Sequence, residues 1–388
     1  MPMSAEKTTS RIWSIAAGRS FLDTLAAALL DGNLPHAGGA PPDRLQLAAM
    51  TILLPTHRAV RALQDAFLRA AKGRALLLPR LLPISNTDED QGLLSDLAGG
   101  TSSLGAEYTL PPAIGKLERQ LALTNLVLPR SRRMMVPHSG PDGELAPVVS
   151  TGARPPAQAA HLATDLARLM DLVETEDRSL DGLAELVPDD FSEHWQRTID
   201  FLEIVTQYWP AHLSEQTLLS PVERLNRLLR AEAERLAGTM PTDPVIIAGV
   251  TGSVPATVDL MRAVAALPAG AIVIPDLDRT LDEASWLQVG AHPEHPQHGL
   301  AKLLGSLGVA RAEVSEVAGP LPATHARART TFLSEAMRPA GATGNWETFI
   351  ANADRSAIRE SLAGVTRIEA PSAADGAANA ATGVDPDT

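Results

Sequence analysis

The chain contains no cysteine. That excludes a disulfide framework, zinc-finger cysteines, an iron–sulfur cluster held by this chain and a thiol nucleophile. Lysine is nearly as scarce. Of 33 basic side chains only Lys7, Lys72, Lys116 and Lys302 are lysines, which leaves 29 arginines. Positive charge is also in deficit, with 33 Lys+Arg against 46 Asp+Glu and a formal charge of -13. General affinity for polyanions is therefore not written into the composition. No apolar run approaches the ~18 residues of a spanning helix; Leu25–Leu30 and Ala75–Leu78 are core-sized. Met1–Ser10 lacks the apolar core of a signal peptide. A soluble, cytoplasmic protein without membrane contact is the expectation.

What is present is globular: 388 residues, 45% hydrophobic and 20% charged. Arg11–Ile15 reads as a short buried strand, followed by Ala16-Ala17-Gly18-Arg19 and a helix with Ser20 as N-cap and Gly32 beyond its end. Met50–Pro55 is a second strand, Val60, Leu63, Ala66, Phe67 and Ala70 mark a second helix, and Leu76-Leu77-Leu78 with Pro79 reads as a third strand. Strand–helix repetition at this spacing predicts a parallel sheet with crossover helices. From about Pro111 to Leu236 the signals turn helical, over 157–173, 192–213 and 220–236, with Ser220-Pro221-Val222-Glu223 as a capping box. Pro137–Pro156 is a Gly/Pro-rich loop. The α/β pattern then returns: a strand at Val245–Gly249, a helix at 256–267, a strand at Ala271–Pro275, and a helix at Leu300–Leu307 ended by Gly308. Trp346–Leu362 reads as helix and Thr366–Ala370 as the start of a strand. The residues after Pro371 are too poor in apolar side chains to fold.

Two catalytic chemistries are excluded by the lysines. A phosphate-binding loop of the Gly-Lys-Ser/Thr kind needs a lysine for the β/γ-phosphates, and the turn Gly18-Arg19-Ser20 has none; Gly115-Lys116 lacks the following hydroxyl. Gly18, Arg19 and Ser20 are therefore a degenerate nucleotide loop, a structural turn. A metal-dependent nuclease of the acidic-x-Lys type places an acid two residues before a lysine. The residues there are Ala5, Ala70, Ile114 and Leu300. No Gly-x-Ser-x-Gly elbow and no His-Glu-x-x-His helix is present. His292, His295 and His298 are separated by prolines in an extended stretch, which suits a polar loop better than a metal site.

Two stretches sit where open α/β sheets bind ligands, at the C-terminal ends of strands. Thr56, His57, Arg58 and Arg61 follow the second strand, and are compatible with phosphate contact or with a solvated helix start. Gly249-Val250-Thr251-Gly252-Ser253 offers amides and the hydroxyls of Thr251 and Ser253 as an anion nest, or serves as an ordinary strand-to-helix turn.

Three stretches in order resemble AddB, a subunit of the AddAB helicase–nuclease of alphaproteobacterial type that processes double-strand breaks for recombination. The first comprises Phe21–Ala26, Thr51–Ala59 and Ala75–Arg80. The second comprises Gly249–Thr257, Ile274–Asp278 and His295–Gln297. The third is Ser334–Ala340, ending with Trp346. The resemblance covers about residues 11–370 and implies a superfamily 1 helicase-like, RecA-like parallel sheet with a degenerate P-loop and an inserted helical subdomain. It divides the chain into a first α/β half at 1–110, a helical insertion at 111–240 and a second α/β half at 241–350. Residues 351–388 would be the start of a next domain and a disordered tail. It further implies DNA binding, docking to an AddA-like motor subunit as a heterodimer, and duplex DNA ends as substrate. Thr56, His57, Arg58, Arg61, Thr251, Ser253 and Arg338 are the expected DNA-contacting residues. In full-length members a divalent metal serves the nuclease site, and some branches hold an iron–sulfur cluster; neither is expected on this chain. Family members are much longer, so a truncated product is expected. The competing reading is an α/β domain that is inert or binds a small ligand.

Overall fold

The computed structural model describes residues 11–36, 39–84, 110–131, 138–139, 145–146, 156–178, 203–251, 254–342 and 355–363. Six strands form one parallel sheet: β1 (Ile12–Ile15), β2 (Thr51–Leu54), β3 (Arg80–Pro83), β4 (Val245–Ala248), β5 (Gly270–Pro275) and β6 (Ser315–Glu316), in the order β3-β2-β4-β5-β1-β6. Central strands of a parallel sheet are buried on both faces and need apolar side chains throughout. The segments Ile12-Trp13-Ser14-Ile15 and Val245-Ile246-Ile247-Ala248 are buried at every position. The register is set by these runs, with Ile12 opposite Ile272 and Ile246 opposite both Ile52 and Ala271.

Successive residues divide the core in two. Trp13, Ile15, Ile52, Leu54, Ile246, Ala248 and Val273 face α1 (Phe21–Leu30), α2 (Arg44–Ala49) and α3 (His57–Ala71). Ile12, Leu53, Ile247, Ile272 and Ile274 face the opposite layer. That layer includes α7 (Pro221–Thr239), α8 (Pro255–Ala266), α9 (Glu283–Val289) and α10 (His298–Leu307). The two layers follow from right-handed crossovers. The chain steps from β1 to β2 and β3 in one direction, then returns across the sheet through β4, β5 and β6, so its helices change face.

The apolar run Leu76–Leu78 is not itself the third strand. Leu76 and Leu78 pack against the core as an approach, and the ladder begins at Arg80, whose N–H donates to the Met50 carbonyl at 2.9 Å. β3 lies at the sheet edge, where Pro79 and Pro83 are tolerated because the amides of Arg80 and Ile84 make the cross-strand bonds.

Between β3 and β4 lie α4 (Lys116–Ser131), α5 (Pro156–Thr175), α6 (Trp209–Glu215) and α7. A two-residue antiparallel pair, His138–Ser139 with Leu145–Ala146, also falls here. A separate core joins Leu123 and Val127 of α4 to Ala163, Leu166 and Met170 of α5 and to Ile204, Val205 and Trp209. The expected helix over 192–213 is described only from residue 203. It opens as one π-turn, Ile204–Tyr208, with the Trp209 N–H bonded to the Ile204 carbonyl. Pro210 explains the widened turn, since it has no N–H for the carbonyl four residues back. The last described helices are α11 (Thr324–Ala336) and α12 (Arg355–Ser361). The strand expected at Thr366–Ala370 lies outside the described residues.

Candidate functional site

The reversal of winding creates crevices where neighbouring strands send their chains to opposite faces, the positions at which open α/β sheets bind ligands. Two exist here, between β2 and β4 and between β5 and β1.

Over the β5–β1 crevice lies a cavity of about 450 Å³. Its floor is Ser14, Ala16 and Ala17 with Asp276–Thr280, its side is His295 and Gln297, and its roof is α11 with Met337. The floor is held rigidly. The Asp276 amide continues the ladder by donating to the Ile15 carbonyl at 3.0 Å. Ser14 Oγ, pointing off β1, accepts from the Leu277 amide at 3.2 Å. Gln297 clips both ends of the turn, Nε2 donating to the Asp276 carbonyl at 2.9 Å and Oε1 accepting from the Asp278 amide at 3.1 Å.

The two aspartates in this turn are held differently. Burial alone would raise the Asp278 carboxyl, but the Ser334 hydroxyl, the Thr280 amide and hydroxyl and the Leu281 amide together hold it below the ordinary carboxylate range. Three of these donors reach Oδ1 at 2.7, 2.8 and 3.2 Å; Ser334 Oγ faces the carboxylate from outside hydrogen-bonding geometry. Asp278 is thus a satisfied anion. Asp276 has the left-handed conformation, φ 46°, which aspartate tolerates better than most residues. Burial pushes its carboxyl upward, and no partner among the described residues opposes this.

His295 completes the polar set. Its Nδ1 accepts from the Gln297 amide at 3.1 Å, which leaves the proton on Nε2. That atom is buried without a hydrogen bond of normal geometry, although the Met337 carbonyl lies beside the ring. Desolvation lowers its basicity more than the neighbouring Asp278 charge raises it, so the ring is neutral at pH 7. The other two histidines are each engaged, His292 Nδ1 with Glu294 at 2.8 Å and His298 Nδ1 with the Val289 carbonyl at 3.3 Å. Among the described residues no three His, Asp or Glu are grouped to hold a metal ion.

The turn at Gly18-Arg19-Ser20 opens beside this cavity and is packed by the chain itself. Gly18 has φ +82°, and a Cβ there would lie 2.9 Å from that of Ala326. Arg19 turns to the segment after β6, donating to the Val317 and Ala318 carbonyls at 2.8 and 3.2 Å. Ser20 makes no cap bond and donates instead to Asp23, which pairs with Arg69 of α3 at 2.6 Å.

At the β2–β4 crevice, Thr56 caps α3, accepting from the Ala59 amide at 3.2 Å. His57 is half-buried with its Nε2 unpaired. Arg58 and Arg61 are exposed, with no ion-pair partner among the described residues. Thr251 is exposed beyond β4, and Ser253 lies outside the described residues. Arg338 is elsewhere engaged: its guanidinium is bound by Glu335, Asp282 and Ser285, tying the end of α11 to the start of α9. These contacts leave it inside a network of carboxylates rather than facing an external phosphate.

Asp276, His295 and Ser334 each fall in a stretch that carries the family resemblance, but the sequence did not join them as one site. A further signal is the Asp-x-Asp that closes β5, since an acid just past a buried strand falls on the ligand-binding edge.

Neither a protein-family model nor a curated protein sequence matches the chain. Among the described residues, no helix is long and apolar enough to cross a membrane.

Proposed function

We propose that this chain is the non-catalytic, helicase-like part of an AddB-type subunit, binding duplex DNA ends and docking to an AddA-like motor in double-strand break repair. The observation that carries the reading is where the resembling stretches fall. Thr51–Ala59, Gly249–Thr257 and Ile274–Asp278 are far apart in sequence, yet the first contains β2 and the turn after it, the second begins directly after β4 and the third closes β5, three adjacent strands of one sheet. The degenerate P-loop assignment is supported by the packed turn, where Ala326 and Arg19 occupy the approaches an incoming phosphate would need. A RecA-like core without a working phosphate loop suits a subunit that relies on a partner for ATP-driven movement.

Arg58 and Arg61 on α3 are exposed just beyond β2, with charge to offer DNA. The net charge of -13 makes their contribution weak and salt-sensitive in the isolated chain. The test is a gel shift of a blunt duplex end at about 50 and about 200 mM salt, with and without an AddA-like subunit. Binding at low salt that strengthens in the complex is expected. The double variant Arg58→Ala/Arg61→Ala reduces the slope of log affinity against log salt by about 2 if each contacts one phosphate. A chain that neither shifts the duplex at low salt nor co-purifies with the partner sinks the reading.

A further inference from the structure

We propose that a second cavity, inside the helical insertion, binds a small uncharged molecule, a phenol or alcohol whose hydroxyl sits on a compact apolar body. The inference does not depend on the DNA-repair reading. The cavity has a volume of about 450 Å³ and lies between the end of α5, the π-turn with α6, and the start of α7. Met170, Val173, Val205, Leu213 and Leu218 supply apolar walls. Small-molecule sites are of this kind, mostly apolar with a few polar groups converging on them. One wall is the π-turn itself, through Val205 and Thr206, and single π-turns recur at functional sites.

Polar groups for a hydroxyl stand among these walls. Glu174 is half-buried, and Ser220 donates to its Oε2 while Oε1 takes no hydrogen bond among the described residues. Pro210 has no N–H to offer the Val205 carbonyl five residues back, the bond that would continue the π-turn. Trp209, also on the wall, is 2% exposed, and its Nε1 donor has no hydrogen-bond partner. A hydroxyl both donates and accepts, so it suits a wall that carries open acceptors and an unpaired donor. Charge is disfavoured in either sign. Glu174 and Glu223 oppose an anion, while Arg178 and Arg227 oppose a cation. Arg227 is turned to Glu223 at 2.7 Å and Arg178 is exposed, so both keep their charge toward water. The burial that pushes the Glu174 carboxyl upward also penalises a charged ligand placed beside it.

The probe is p-cresol, compared by calorimetry and thermal shift with toluene, benzoate and benzylammonium on the full chain at pH 7. p-Cresol is expected to bind and to raise the melting temperature. Toluene should bind about fivefold more weakly for want of the hydroxyl, and each ion at least about tenfold more weakly. Val173→Phe places a ring in the cavity from α5 and should weaken p-cresol binding about tenfold or more. Leu218→Phe does the same from the segment before α7, and serves if the first variant fails to fold. Equal binding of p-cresol by wild type and a folded, filled variant would overturn the proposal. So would toluene bound as tightly as p-cresol, a preference for either ion, or no p-cresol binding at millimolar concentration.

Discussion

The carboxylates of this protein show how differently burial acts when donors are present or missing. Asp278 collects hydrogen bonds that outweigh its desolvation, so its folded pKa is depressed. Its contribution to stability is complete above the ordinary carboxylate value and is lost as pH falls through the folded value. Glu174, at the end of α5, goes the other way. Burial dominates and raises its pKa, against a single side-chain donor, Ser220, and the charge of Arg119. In the folded state it prefers its proton, so stability declines as pH rises from the ordinary carboxylate range through the raised value. Glu174→Gln keeps an acceptor for Ser220 and removes the charge. Thermal melts should show the variant roughly 2 °C more stable than wild type near pH 8, with the difference vanishing near pH 4. A variant that is equally destabilised at both pH values would contradict this account.

At the scale of elements, α7 joins the helical insertion to the sheet. Its first turns hold the end of α5: Asn226 Nδ2 donates to the Glu174 carbonyl at 2.9 Å, and Arg230 pairs with Asp177 at 2.7 Å. Its later turns place Leu229, Ala233 and Leu236 in the core beneath β4 and β5. Ser220 is the join, accepting from the Glu223 amide at 3.1 Å while donating to Glu174. Ser220→Ala therefore removes a cap and the donor of a raised carboxyl together. A loss of about 1–2 kcal/mol in denaturant unfolding is expected at neutral pH. Ser220→Thr restores most of it, and in the Glu174→Gln background the loss is smaller because the Ser220 hydroxyl then donates to a neutral acceptor in place of a charged one. An Ala substitution that costs the same in both backgrounds would refute the coupling.

The Ser-Pro-x-Glu start of α7 was legible in the sequence because capping chemistry is local. So were β4 and β5, whose unbroken apolar runs match strands buried on both faces, and β1, whose run is broken only by Ser14. β3 was placed a few residues early, because Leu76–Leu78 has the hydrophobicity of a strand while the cross-strand amides begin only after Pro79. The short β6 and the amphipathically weak α11 gave no periodic signal, yet α11 roofs the cavity. The candidate site was the least legible part. Asp276, His295 and Ser334 are brought together by the order of strands and by the return of the chain over the sheet edge, which no local pattern encodes.

Over the whole molecule, three apolar clusters are linked unequally. Those on the two faces of the sheet share β1, β2, β4 and β5, whereas the third belongs to α4, α5 and the turns at 204–209. Cooperative units tend to follow such divisions, and the parts with fewest shared contacts open at lower free energy. Amide hydrogen exchange should find β4 and β5 slowest, since they are the central pair of the six strands and lie farthest from either edge. The edge strands β3 and β6 should exchange faster, and α4 with α5 should open as a unit below the global unfolding free energy. Helix α7 supplies the deciding measurement. Its residues 228–236 face the sheet and should exchange with it, while 221–226 contact the insertion and should open with α5. Uniform protection along α7 at the level of β4 would mean that insertion and sheet unfold together, and that the helix transmits the stability of one to the other.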